Sequence, residues 1–228
     1  MDYKGFLLDI DNTLYDYEKT HKLANNAVID SLSVTFTIPQ ETIRTNLITA
    51  RKQIHAELAQ TAASHNRLLY FQRMFELLNI NPIQYSYDVY NLYWDTFIDN
   101  IILYEDVLEF LKMIKPYKVC LVTDLTADVQ HKKMQKLKLF DYAGYAVISE
   151  EAGIEKPHPY MFMLGLKKME LTANEVCMIG DNYSKDIVGA TNLGIRSFWL
   201  NTENKKEELN DLTTEFKNFK ELMGYIQK

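Results

Sequence analysis

The sequence predicts an α/β protein: a parallel sheet flanked by helices and interrupted by a long all-helical insertion. Two observations carry this. Short apolar runs recur with helical periodicity between them, the pattern of parallel strands joined by helical crossovers. Residues 16–100 contain no glycine and few strand signals, so that stretch reads as helix throughout.

The elements follow in order. Residues 5–10, Gly-Phe-Leu-Leu-Asp-Ile, form a short buried strand that ends in acids. Behind Asp16, residues 18–33 carry Leu23, Ala27, Val28 and Leu32 near helical spacing. Pro39 and Gln40 mark a break, and residues 40–60 read as a second helix. Residues 67–79 read as a third, stopped by Asn79-Ile80-Asn81-Pro82, and the Tyr-rich residues 85–99 as a fourth. Then the pattern changes. Helices are expected at 107–114, 128–137, 160–169, 184–193 and 216–226, with strands at 119–123, 145–148, 176–179 and 197–200. The charged segment 201–210 reads as a solvated loop or helix start. The expected division is a core of residues 1–15 and 101–228 around an insertion of residues 16–100.

Composition narrows the classes. The chain has 228 residues, 47% hydrophobic and 25% charged, which suits a globular fold with its own core. A formal net charge of −6 disfavours a nucleic-acid surface, which needs a basic stripe. Cys120 and Cys177 sit in apolar runs and read as buried strand thiols. Without C-x-x-C or a Cys/His cluster, zinc is not expected. The start Met1-Asp2-Tyr3-Lys4-Gly5-Phe6 fits no signal peptide, and no run is long enough to span a bilayer. A cytoplasmic protein is the expectation.

Ligands of open α/β sheets sit beyond the carboxyl ends of the strands, and here those ends are polar. The first reads Asp9-Ile10-Asp11-Asn12-Thr13-Leu14. Two carboxylates at the end of an apolar run need a cation or hydrogen bonds to offset desolvation, and a divalent ion with oxygen ligands would serve. An Asx-turn at a strand exit is the plainer reading. The second end is Val122-Thr123-Asp124, an anion-binding hydroxyl or simply a helix cap. Next comes Glu155-Lys156-Pro157-His158-Pro159, where the proline favours extended backbone at Lys156; a surface-turn lysine is the alternative, and His158 reads as a loop residue. The last is Ile179-Gly180-Asp181-Asn182-Tyr183-Ser184-Lys185-Asp186, in which Gly180 permits close approach and Asp181 or Ser184 could be a helix cap. Each has a bland explanation. The joint order of acid pair, hydroxyl, lysine and acid pair does not.

With Asp9-Ile10-Asp11-Asn12-Thr13, Thr123, Lys156, and Gly180-Asp181 with Asp186 in that order, the sequence resembles the haloacid dehalogenase-like hydrolase superfamily over about residues 5–200. The resemblance implies a Rossmann-like core, with the insertion as a helical cap of the C1 type. It implies an Mg²⁺-dependent phosphatase acting through an aspartyl-phosphate. In that scheme Asp9 is the nucleophile and Asp11 the general acid and base. Thr123 bonds a phosphoryl oxygen, and Lys156 offsets charge. Mg²⁺ is held by Asp9, Asp181 and the main-chain carbonyl of Asp11. Asp186 binds through water or orients Lys156. Dehalogenase relatives lack an acid where Asp11 stands, and mutases commonly have Val in place of Thr13, so both positions favour a phosphatase. Asp124 stands where many relatives have Asn. It would repel a phosphate unless it faced the cap or were protonated.

Asn12, Thr13, Asp124 and Tyr15 are candidate substrate contacts. In the insertion, His21, Arg51, His55 and Arg67 are candidates to reach a substrate, with a solvated helix face as the expectation for each; the tyrosines and Trp94 read as cap core. Relatives of this style act on nucleotide 5′-phosphates or sugar phosphates, so the expected partner is a small phosphorylated metabolite, with no nucleic-acid polymer and no membrane. A phosphomutase or phosphonate hydrolase is the alternative, and a non-catalytic binding protein is disfavoured by the intact motifs.

Overall fold

The computed structural model describes residues 3–227; Met1, Asp2 and Lys228, where the expected core begins and ends, lie outside the described residues. The chain divides into two compact units, one of residues up to Asp16 and from Ile102 onward, the other of Tyr17–Ile101.

The second unit is four helices: α1 (Tyr17–Phe36), α2 (Gln40–Glu57), α3 (Arg67–Leu77) and α4 (Pro82–Asp99). Each buries one stripe. In α1 the stripe runs through Thr20, Ala24, Val28 and Leu32, while Leu23, expected inside, is 44% exposed. In α2 it is Ile43, Leu47, Ala50 and Ile54, and in α4 Val89, Tyr93, Trp94 and Phe97. Asn66 and Asn81 cap α3 and α4 by accepting from the N–H groups of Leu68 and Ile83, and Pro82 opens α4, where a missing N–H costs nothing. Tyr93 and Trp94 are core residues, but Tyr87 points to water.

The first unit holds a six-stranded, all-parallel sheet: β1 (Gly5–Leu8), β2 (Lys118–Thr123), β3 (Tyr145–Ile148), β4 (Val176–Gly180), β5 (Arg196–Leu200) and β6 (Thr213–Phe216), in the order β3-β2-β1-β4-β5-β6. Its helices are α5 (Val107–Ile114), α6 (Ala127–Lys136), α7 (Ser149–Ala152), α8 (Pro159–Met169), α9 (Val188–Thr191) and α10 (Phe219–Ile226). β1 and β4 are buried along their whole length, as expected of strands covered on both faces. A core of Leu7, Cys120, Val122, Met161, Phe162 and Met178 lies on the α8 side. α5 buries Val107, Phe110, Leu111 and Ile114, an i, i+3, i+4, i+7 stripe, with the Phe110 ring 5.0 Å from that of Phe219 in α10. Both cysteines are free and fully buried, and burial pushes the Cys120 thiol up to about 12. Among the described residues no helix is long and apolar enough to cross a membrane.

Two expectations about elements fail. Residues 184–193 are not one α-helix: a π turn over Tyr183–Ile187 leads into the short α9. The last helix begins at Phe219, capped by Asn218, because Thr213–Phe216 pairs with the edge of β5 as a sixth strand. That strand is polar and mostly half-buried, so it lacks the apolar alternation that marks a strand in sequence.

α8 and α9 pack closely. A Cβ on Gly189 would lie 2.7 and 2.8 Å from ring atoms of the buried Phe162 and 3.1 Å from the Pro157 Cα. Gly189→Ala is therefore expected to lower stability by about 1–3 kcal/mol, despite alanine's better helix propensity. A urea unfolding midpoint equal to that of the wild type would show that the two helices separate without cost.

Candidate active site

The sheet changes direction at β1: β2 and β3 lie to one side, and β4, β5 and β6 to the other. This is the switch point where ligands of such sheets bind. The chain leaves β1 at Asp9, β2 at Thr123 and β4 at Gly180, so the acids and the hydroxyl predicted to act together emerge at neighbouring strand ends.

Asp9 is 5% exposed. Its N–H donates to the Ile179 carbonyl at 3.0 Å, extending the β1–β4 ladder by one bond. One carboxylate oxygen accepts from Thr13 Oγ1 at 2.7 Å and the other from Lys156 Nζ at 2.6 Å. Asn12 makes the turn between them with φ 61°, a left-handed conformation that asparagine tolerates. Thr13 also accepts from the Asp181 N–H at 3.0 Å. This fully buried hydroxyl thus ties the first motif to the last.

Lys156 uses all three of its protons. It donates to Asp9, to Asp186 Oδ1 at 2.7 Å and to the Val122 carbonyl at 2.9 Å. The other oxygen of Asp186 accepts from the Asn182 N–H at 3.0 Å. The π turn delivers Asp186 to that position, and Gly180 leaves the space: a Cβ there would fall 2.4 Å from the Asp186 carboxylate. Asp181 completes the group. The carboxylates of Asp9, Asp181 and Asp186 approach within 4.8 Å of one another, a geometry able to hold a metal ion, with the hard oxygen donors that suit a divalent cation.

The electrostatics match the crowding. Burial, then the charges of Asp9 and Asp186, push Asp181 up to about 8. Burial likewise carries Asp9 up to about 7, against the pull of Lys156 and with Asp186 and Asp11 adding to it. Asp186 is raised for the same first reason, opposed by Lys156. Burial works against the Lys156 charge, but Asp186 and Asp9 outweigh it and hold the ammonium well above its ordinary range.

Asp11 turns its carboxylate elsewhere. Lys133 Nζ lies 2.8 and 2.7 Å from its two oxygens, Gln130 Nε2 donates at 3.2 Å, and the buried Tyr15 hydroxyl donates to it as well. Tyr15, expected among substrate contacts, is thus an anchor for Asp11. Lys133 and Gln130 were not among the sequence candidates. Their signal is their spacing: with Val129 and Met134 they form the buried face of α6, where a lysine is out of place.

Thr123 is buried, and its Oγ1 accepts from Gln130 Nε2 at 2.8 Å. Asp124 does not stand alone. Lys185 Nζ is 2.8 Å from one oxygen, and the Lys156 N–H donates to the other at 3.0 Å. A neighbouring cation therefore answers the repulsion expected of this acid. The next residue, Leu125, has φ 108°, a strained conformation costing about 1–3 kcal/mol. It is held by Ser149 Oγ, which accepts from its N–H at 2.9 Å and donates to its carbonyl at 3.1 Å. His158 caps α8, accepting from the Tyr160 N–H at 3.2 Å.

Within the helical unit the candidates separate. Arg51 is exposed as expected, but Arg67 is 5% exposed in the aromatic core, and His21 and His55 are half-buried.

Comparison with known proteins places this geometry. The family model of the haloacid dehalogenase-like hydrolases matches residues 3–194. A ribulose-1,5-bisphosphate 5-phosphatase from Halopiger xanaduensis is 31% identical over 195 residues, 84% of this chain and 82% of that protein. A glyceraldehyde 3-phosphate phosphatase from Pyrococcus abyssi is 27% identical over 203 residues, 86% of this chain and 81% of its own. Among solved structures, a 2-haloacid dehalogenase from Pseudomonas syringae shares the fold, with a TM-score of 0.80 at 22% identity over 99% of this chain and 98% of that one.

The raised acids set a pH dependence. Unfolded carboxylates release protons near 3.8, whereas folded Asp9 and Asp181 keep theirs to about 7 and 8. The folded state binds more protons in that window, so stability without metal falls as pH rises through it. In chelator, the urea midpoint should drop between pH 5 and pH 8. Asp181→Asn should shrink the drop; an equal drop in the variant would contradict the assignment.

Proposed function

The chain belongs to the haloacid dehalogenase-like hydrolases and is a phosphoric monoester hydrolase, and we propose that it is an Mg²⁺-dependent sugar-phosphate phosphatase working through an aspartyl-phosphate on Asp9. The observation that carries this is the Asp9 carboxylate itself. It is buried, held on both oxygens by Thr13 and Lys156, and crowded by Asp181 and Asp186. A structural acid needs one good partner; this one sits in a site prepared for more positive charge than Lys156 brings.

Asp9, Asp181 and the main-chain carbonyl of Asp11 would hold Mg²⁺, with Asp186 steadying Lys156. The ion would supply positive charge that keeps the acids ionised and neutralises phosphoryl oxygens. Asp9 attacks phosphorus, and the bond from phosphorus to the sugar oxygen breaks. Asp11 gives that oxygen its proton. Asp11 then takes a proton from water, which attacks the aspartyl-phosphate and releases inorganic phosphate and free Asp9. Thr123 donates to a phosphoryl oxygen while Gln130 occupies its acceptor side. Lys133, Gln130 and Tyr15 fix the direction of the Asp11 carboxyl, and orientation of this kind is a large part of what phosphoryl transfer requires.

The helical unit, residues 17–101, would act as the cap that selects the substrate. Of the two substrate classes left open by the sequence, sugar phosphates are supported by the names of the two relatives described above, each matching over four fifths of this chain.

The test is phosphate release from ribulose 1,5-bisphosphate, glyceraldehyde 3-phosphate and p-nitrophenyl phosphate, with Mg²⁺ and with chelator. Turnover should require the metal, favour a sugar phosphate and fall by about a thousandfold or more in Asp9→Asn. Wild-type rates in Asp9→Asn would remove the covalent mechanism. Lys133→Met should lower kcat by about ten- to a hundredfold through misplacement of Asp11, with a smaller change in KM. A change confined to KM would assign Lys133 to binding.

A further inference from the structure

The helical unit contains a cavity of its own, about 150 Å³, bounded by α1, α2 and α3. That is room for about five waters, and so for an oxyanion. Three arginines, Arg44, Arg51 and Arg67, are among its lining residues, together with His21, Asn25 and Leu47, and no acidic residue is among them.

Arg67 is the most telling of these. It is 5% exposed, and among the described residues no acid pairs with it. Its hydrogen bonds go to neutral acceptors, the His65 carbonyl at 2.8 Å and the Tyr17 and Tyr93 hydroxyls, and among the described residues its buried Nε has no partner. Ring faces of Tyr70, Tyr93 and Trp94 lie 5.0, 5.7 and 5.9 Å away. Those rings ease the burial of a cation, but they do not explain why two more arginines line the same cavity. Arg51 makes no hydrogen bond or ion pair within the described residues. Arg44 has only Asn26 at 3.4 Å and the exposed Glu41 at 4.0 Å. Three cationic side chains around one space with no acid lining it favour an anion there.

The neutral lining suits such a guest. Burial, then Arg67 and Arg51, push His21 down to about 3, so its ring is uncharged at neutral pH. It lies 2.6 Å from the Tyr93 hydroxyl and 3.0 Å from Asn25 Nδ2. The amide donates to Nε2, which places the ring proton on Nδ1.

We propose that this pocket of the helical unit binds an oxyanion, a phosphate or carboxylate group, as a second anion site separate from the acid cluster. The group has two possible sources, a second charged group on the substrate or a free anion. Arg67 supplies the buried charge, and Arg44 and Arg51 the partners that close on the anion from α2.

The test titrates inorganic phosphate into the full chain and follows the Arg67 Nε–H and the α2 backbone amides by NMR. These signals should shift together and saturate. Arg44→Gln/Arg51→Gln should weaken that saturation at least tenfold; both positions are accessible to solvent, and Arg51→Gln alone serves if the double variant fails to fold. Phosphate binding that leaves the helical unit unshifted overturns the proposal, as does an unchanged affinity in the variant. A second arm, which rests on the phosphatase reading as the first does not, compares kcat/KM for a bisphosphorylated and a monophosphorylated sugar. A ratio that falls at least tenfold in the variant identifies the occupant as the far phosphate of the substrate. A ratio that holds while phosphate affinity falls identifies it as a free anion.

Discussion

The ammonium of Lys156 sits where three strand ends bring carboxylates together, and the surrounding structure depends on that one charge. A buried carboxylate without a cation neutralises itself. With one lysine for Asp9, Asp181 and Asp186, the balance falls short: burial and mutual repulsion lift all three acids even while Lys156 pulls Asp9 and Asp186 back. The deficit is what makes the cluster receptive to a divalent ion. A second lysine at the same place would satisfy the acids and close the site to metal. Gly180, the π turn and the Val122 carbonyl all serve to keep the ammonium where it is.

The same principle recurs one shell out, with different partners. Lys133 pairs with Asp11 and Lys185 with Asp124, so each of these two acids has its own cation. The pairs are not interchangeable. Asp11 is pinned by three residues, from two segments, that leave it little freedom to turn. Asp124 accepts a side-chain donor on one oxygen and a main-chain donor on the other, and so links the loop after β2 to the loop carrying Lys156.

What the sequence made legible was the pattern tied to the strands. Asp9, Thr123 and Asp181 stand next to apolar runs, and a parallel sheet brings the ends of such runs together whatever else the chain does. Partners supplied by helices were hidden. Lys133 and Gln130 lie in a segment rich in charge, where lysine normally means solvent, and only the burial of that helix face distinguishes them. Arg67 was hidden for the same reason, since a buried guanidinium looks in sequence like any surface arginine. Lys185 could not be matched to Asp124 because the two lie 61 residues apart and no periodicity connects them. The strand β6 escaped because edge strands, half-wet, carry the polar residues that elsewhere signal a loop.

The order of the strands bears on how the chain comes together. β1 lies at the centre of the sheet, yet its neighbours there, Lys118–Thr123 and Val176–Gly180, come far later in the chain. During synthesis it must wait, apolar and unpaired, until both of these strands have appeared. The four helices of residues 17–101 face no such delay; their contacts are local, and they can close a core while the sheet is still missing its partners. Assembly from the inside of the sequence outward is thus built into the connectivity, and the exposed interval of β1 is the part of that history in which a chaperone would have the most to bind.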